Sequence, residues 1–280
     1  MTTKKKTTKR SRPKRKGSGG SLFHSWWGVL LGVVLFAALL VALLWFFFVT
    51  PLSFRWQNAY DGKDYPDGYD VLGIDVSHYQ ERIDWNKVRN AKIGDHPVRF
   101  VIVKATEGTT LMDENLNENF YRSRENDLVR GAYHFFKSGS SARAQAEYYL
   151  KQVHLQEGDL PPILDVEERG NKPLKDFQRD VLTWLQLVEE AYGAVPVIYT
   201  GYKFKLDYLN DAAFDAYPLW IAHYYEKAVR YKGKWVFWQY TDRGRVDGIK
   251  GDVDLNVFNG DMKALMALTL QPSGEEPQEE

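Results

Sequence analysis

The chain has 280 residues, 44% of them hydrophobic and 26% charged, the composition of a globular protein with one large domain or two small ones. It has no cysteine, which excludes a disulfide framework, a thiolate metal site and a cysteine nucleophile. The 37 basic and 37 acidic residues cancel, but nine of the basic ones fall in Met1–Ser25 with no acid, leaving 28 basic against 37 acidic residues downstream.

From Trp26 to Val49 the chain runs 24 residues without a charge or a proline. As a helix this reaches roughly 36 Å, enough for a hydrocarbon core of about 30 Å with some tilt. A transmembrane helix over residues 26–50 is expected. A cleaved signal is the competing reading, but its apolar part is usually about 7–15 residues and ends in small residues, whereas this run ends in Trp45-Phe46-Phe47-Phe48. The basic cluster beside the span keeps residues 1–25 cytoplasmic and places the chain beyond Thr50 outside the cytoplasm. Such a cluster touches anionic lipid at the bilayer surface and does not call for nucleic acid.

Residues 51–70, with Asp61-Gly62 and Asp67-Gly68, read as a linker, and the acidic residues 271–280 as a disordered tail. Between them, residues 71–270 form the working domain. Short apolar runs alternate with helical periodicity, which predicts an α/β fold of βα units around a largely parallel sheet. The expected strands are Val71–Val76, Phe100–Lys104, Arg130–Phe135, Pro162–Val166, Pro196–Thr200, Leu219–His223, Trp235–Tyr240 and Val253–Val257. Helices are expected at Asp84–Asn90, Asn117–Asn126, Ala142–Val153 and Leu174–Tyr192, and past Asp211 the connections read as plain loops. Eight strands with fewer helices predict an irregular, TIM-like (β/α) barrel.

In such a barrel the reacting groups sit where strands end. Asp75 closes one apolar run, Asp165 and Glu167 come directly after Pro161-Pro162-Ile163-Leu164, and Asp254 lies in Gly-Asp-Val-Asp-Leu-Asn. Strand alternation puts Asp165 and Glu167 on one face with α-carbons about 6.6 Å apart. Two shielded carboxyls this close do not both ionise easily, and a glycosidase needs one protonated acid beside one carboxylate. Glu167 is the expected acid. Taken singly, Asp75 and Asp254 read equally as caps or turn residues.

Tyr133, Tyr199, Trp220, Tyr224, Trp238 and Tyr240 lie on or just past expected strands. Their rings suit pyranose faces, although each alone reads as core packing. His78, His134 and His223 near strand ends raise a metal-dependent glycan deacetylase as an alternative, but no two have short ligand spacing. No metal or cofactor is expected. The chain has no Gly-x-Ser-x-Gly elbow for a serine nucleophile.

From Gly73 to about Gly260 the chain resembles the glycoside hydrolase family 25 lysozymes, the muramidases of Chalaropsis type. The resemblance rests on Gly73-Ile74-Asp75-Val76-Ser77, Val101-Ile102-Val103-Lys104-Ala105-Thr106-Glu107-Gly108, Gly131-Ala132-Tyr133-His134-Phe135, Asp165-Val166-Glu167, Val197-Ile198-Tyr199-Thr200, Pro218-Leu219-Trp220-Ile221-Ala222, Trp238-Gln239-Tyr240-Thr241 and Val253-Asp254-Leu255-Asn256-Val257-Phe258. It implies hydrolysis of the β-1,4 bond between N-acetylmuramic acid and N-acetylglucosamine in peptidoglycan strands. Glu167 matches the general acid, Asp165 its neighbouring carboxylate, and Asp75 and Asp254 two further pocket acids with orienting and electrostatic roles. Tyr133, Tyr199, Trp220 and Gln239 match substrate-binding positions.

Two mechanisms fit: direct attack by a carboxylate, or attack by the substrate's own acetamido group with Asp165 supporting it and the configuration retained. The second is favoured because Asp165 shares strand and face with the acid. A basic tail and a span instead of secretion point to remodelling of the cell's own wall. The alternative of another class is a catalytically silent glycan receptor on the same barrel.

Overall fold

The computed structural model describes residues 21–44 and 65–272. The chain divides into two compact units, Met1–Leu52 and Ser53–Glu280. The described part of the first unit is helix α1, Ser21–Leu44. It starts ahead of the expected span, and its Trp26–Leu43 segment is long and apolar enough to cross a membrane. The basic tail up to residue 20, the end of the expected span (45–50), most of the linker (51–64) and the tail from residue 273 lie outside the described residues.

In the second unit the eight expected strands all form. They are β1 (Leu72–Val76), β3 (His96–Glu107), β5 (Val129–Phe135), β6 (Ile163–Asp165), β7 (Val197–Gly201), β8 (Leu219–Ala222), β9 (Trp235–Gly244) and β10 (Val253–Phe258). They pair in that order, and β10 pairs back onto β1, closing an eight-stranded barrel. Every pairing from β1 through β9 is parallel, whereas β10 runs antiparallel to both β9 and β1. Two short strands extend β3 as hairpins: β2 (Lys92–Ile93) at its start and β4 (Leu111–Met112) at its end.

The helices are α2 (Trp85–Asn90), α3 (Leu116–Glu125), α4 (Ala142–Gln152), α5 (Leu174–Tyr192), α6 (Tyr202–Tyr208) and α7 (Met262–Leu268). Asp84 caps α2 by accepting from Lys87 N, and Ser141 caps α4 by accepting from Ala144 N. Helix α5 buries Phe177, Val181, Trp184, Leu185 and Val188 along one stripe and stops at Gly193, whose φ of 62° suits a residue without a Cβ. Helices α6 and α7 lie where no helix was expected. The loops joining β8, β9 and β10 carry no helix, in keeping with the sequence reading.

Strand alternation divides the core in two. Leu72, Ile74, Val101, Val103, Leu164, Ile198 and Ile221 pack outward against the helices. Phe100, Ile102, Ile163, Val197, Tyr199, Trp220, Phe237 and Phe258 fill the barrel. At Gly73 a Cβ would lie 2.5 Å from both the ring and the carbonyl oxygen of Phe100, so only glycine lets Phe100 plug the barrel beneath Asp75. The plug leaves the last inward positions of the strands free for polar side chains.

Candidate active site

Those last inward positions carry the expected carboxyls. Asp75 is the fourth residue of β1 and Asp165 the last of β6; Glu167 lies two residues beyond, on the same face. Asp254 stands second in β10, and because that strand runs antiparallel its start reaches the rim where the others end. The register places Asp254 directly across from Asp75.

Asp75 and Asp165 are 6% and 4% exposed, Asp254 is half-buried, and Glu167 is open at the mouth. Burial pushes Asp75 up to about 6, although Asn256 and Gln239 hydrogen bonds pull it down. Burial also raises Asp254, to about 9, with the negative charge of Asp75 adding to it. Asp75 and Asp254 lie within hydrogen-bonding reach of each other, an arrangement that favours one proton between them.

Asp165 and Glu167 form a second hydrogen-bonded pair. Loss of water is the first cause raising each, even for Glu167, which is exposed by area yet flanked by the pocket walls. Lys104 pulls both back down. Asp165 Oδ1 is buried with no hydrogen-bond partner among the described residues. A buried acceptor of this kind calls for a donor from outside the protein.

Asp75 is held from two sides. The Gln239 amide donates to its Oδ2 at 2.9 Å and the Asn256 amide donates to the same oxygen at 2.7 Å. Neither amide is free to turn. Tyr199 and Tyr224 hydroxyls donate to Gln239 Oε1 at 2.7 and 2.6 Å, and the Trp220 indole donates to Asn256 Oδ1 at 2.8 Å. Of the aromatics expected to bind substrate, Tyr199 is 7% and Trp220 1% exposed, and both are engaged in this network. Tyr133 is half-buried, edge-on to Trp220 at 6.3 Å, within reach of the charges of Asp165, Asp75 and Asp254.

Tyr224, expected only as a ring for a sugar face, joins the site through its hydroxyl, and Lys104 and Asn256 belong to it although the sequence reading gave them no role. The available signal was a charged or amide residue within an otherwise apolar run, as in Val-Ile-Val-Lys-Ala and Val-Asp-Leu-Asn-Val. Lys104 is 8% exposed and pairs with Glu107 at 2.7 Å; Glu107 meets Lys137 at 3.2 Å. Both ammonium groups lie over the ring of Phe135, at 5.2 and 4.5 Å from its centroid.

The three histidines are engaged separately. His134 points outward, bonded to Thr106 and Gln145 and stacked on Trp184, and burial lowers it to about 4. His78 contacts Asp113 at 2.8 Å, and His223 stacks on Tyr202. Among the described residues no group of three or more His, Cys, Asp or Glu side chains is arranged to hold a metal ion.

A closed barrel with two neighbouring carboxyl pairs on its rim is the architecture of a glycoside hydrolase. Residues 74–249 match the family model described as glycosyl hydrolases family 25, and the chain belongs to that family. The chain is 48% identical over 206 residues to the Escherichia coli K12 protein YegX, covering 72% of this chain and 74% of that one. It is 35% identical over 214 residues to Lysozyme M1 of Streptomyces globisporus, covering 71% of each. Among solved structures, a family 25 glycosyl hydrolase from Bacillus anthracis superposes with a TM-score of 0.67 at 29% identity, covering 73% of this chain and 96% of that one.

Proposed function

We propose that the protein is a membrane-anchored N-acetylmuramidase, cleaving the β-1,4 bond between N-acetylmuramic acid and N-acetylglucosamine in peptidoglycan. The observation that carries the mechanism is the Asp165–Glu167 pair: hydrogen-bonded carboxyls, one open at the mouth and one buried with an unpartnered oxygen. The acetamido N–H of the sugar is the donor that suits Asp165 Oδ1. Accepting that hydrogen bond stabilises Asp165 as the anion, so the shared proton passes to Glu167, which delivers it to the leaving oxygen.

The acetamido oxygen then attacks the anomeric carbon, and Asp165 stabilises the charge that develops on its nitrogen. Water opens the intermediate with Glu167 as base, and the configuration is retained. Support for this route over direct attack is the contact between the two carboxyls. Asp165 also ends its strand on the same face as the acid two residues on, which limits its reach to the opposite side of the sugar.

Asp75 and Asp254 supply the electrostatic floor of the pocket, with Gln239 and Asn256 orienting Asp75. Tyr133 is the aromatic wall closest to the reacting sugar. Tyr199 and Trp220 act on the substrate through Gln239 and Asn256. Helix α1 and the basic residues before it hold the amino terminus in the cytoplasm and the barrel outside it, where remodelling of the cell's own wall is the role that fits.

The test is digestion of purified peptidoglycan by the full-length chain in detergent, with new reducing ends read by mass spectrometry. New ends on muramic acid, absent with Glu167→Gln, are expected. A folded protein that binds the polymer and releases no ends would instead mark a glycan receptor.

A further inference from the structure

Two cavities adjoin outside the barrel, between the turn from β1 to α2 and the length of α3. One, of about 720 Å³, is lined by Arg82, Trp85, Glu118, Arg122 and Lys250 among others. The second, of about 460 Å³, runs from His78 past Glu81 and Glu114 to Asn119. They share Arg82, Ile83 and Glu118 and so form one groove. Each lies within the range of about 300–1,000 Å³ typical of ligand sites.

The groove begins beside the catalytic centre. His78 stands three residues past Asp75 and is held by Asp113, through its ring at 2.8 Å and its backbone N–H at 3.0 Å. The charge of Asp113 is felt by Tyr133, inside the catalytic pocket.

Two donors in the lining lack partners. Trp85 Nε1 and Asn119 Nδ2 are buried without a hydrogen bond among the described residues, on side chains 4% and 2% exposed. An indole N–H and an amide NH₂ only donate, so they ask for acceptor oxygens such as peptide carbonyls.

The charges ask for a ligand with both signs. Arg122 is already shared between Glu118 at 3.0 Å and Glu125 at 2.9 Å. Arg82 and Lys250 make no ion pair among the described residues, and neither do Glu81 and Glu114. A short peptide carrying carboxylates, carbonyls and an ammonium satisfies all of these groups. A bare neutral sugar chain leaves the charges unanswered.

Resting on the reading of the protein as a peptidoglycan hydrolase, we propose that this groove binds the short peptide arm that the glycan strand carries, with Arg82 and Lys250 as its carboxylate contacts. Catalysis then favours strands whose peptides are in place.

The full-length protein in detergent is assayed on strands with intact peptides and on the same strands stripped of them by an amidase. A kcat/KM ratio of about threefold or more in favour of peptide-bearing strands is expected, the size that one or two exposed ion pairs allow. In Arg82→Ala/Lys250→Ala that ratio falls to about one, and Arg82→Lys restores part of it. A ratio near one in the unaltered protein, or one that survives the double substitution, overturns the proposal. Should neither strand be cut, the hydrolase reading fails instead, and the groove is decided by titrating the free peptide arm into ¹⁵N-labelled protein. A shift of the Trp85 indole resonance, assigned with Trp85→Phe, then supports the groove, and an unmoved resonance at saturation means that it holds water only.

Discussion

Asp254 faces Asp75 across the antiparallel pairing of β10 with β1, and their carboxyls share a hydrogen bond. Both titrate above their ordinary range, at about 6 and about 9. An acid raised by folding binds its proton more tightly in the native state, so its stabilisation is complete below the unfolded value near 4 and is lost as pH climbs through the folded value. Thermal melts from about pH 5 to about pH 9 should therefore show a steeper fall in Tm for the unaltered protein than for Asp254→Asn, which stays neutral throughout. Parallel curves would mean that the pair shares no proton.

Replacing Glu167 with Gln keeps its size and removes the proton that the proposed mechanism requires of it. Turnover on peptidoglycan should drop by about 10²-fold or more. Because the side chain is open at the mouth, Tm should move by less than about 1 °C. A large Tm change would place Glu167 in the fold instead of the chemistry.

Asp165 separates the two mechanisms. Trapping with a 2-fluoro sugar should leave no covalent adduct on Asp165, and glycans whose acetamido groups have been removed should resist cleavage. An adduct found on Asp165 by peptide mass mapping sinks the assisted route.

The hydroxyls of Tyr199 and Tyr224 both hold Gln239 Oε1, so either alone still fixes the amide. Tyr199→Phe and Tyr224→Phe should each cost about 0.5–1.5 kcal/mol of stability with kcat within a few-fold of normal. Together they let the amide turn, and the double variant should lose more in kcat than the product of the single losses. Purely multiplicative losses would show that the two tyrosines act independently.

Gly73→Ala sets a methyl group against the ring and backbone of Phe100. Overpacking of this kind costs about 1–3 kcal/mol. Denaturant melts should show the loss, and an unchanged midpoint would indicate that Phe100 yields easily.

The strands were legible because each is a short apolar run bounded by polar turns, and Asp165 with Glu167 because strand period alone puts them on one face. Helix α5 was legible from its apolar stripe. Helices α6 and α7 are seven residues each, too short for a period to declare itself. The reversal of β10 left no mark in the sequence, since Val253–Phe258 alternates alike in either direction; yet that reversal brings Asp254 to the rim. Lys104 and Asn256 were passed over because an inward residue at the rim looks like an interruption of an apolar run until the barrel closes around it. Trp220 showed the opposite difficulty: its ring suits a sugar in isolation, and only the contacts reveal that its indole is committed to Asn256.

The two amides that donate to Asp75 lie 164 and 181 residues farther along the chain. Barrel closure between the first strand and the last is thus also the step that completes the pocket, and contacts of such separation carry a large loop-closure cost and belong to slow folding events. A chain still emerging, or one cut short before β9, has neither amide in place and no carboxyl opposite Asp75. The hydrolase is assembled by its own carboxyl terminus, so a truncated or half-made copy has no finished site to turn on the polymer around it.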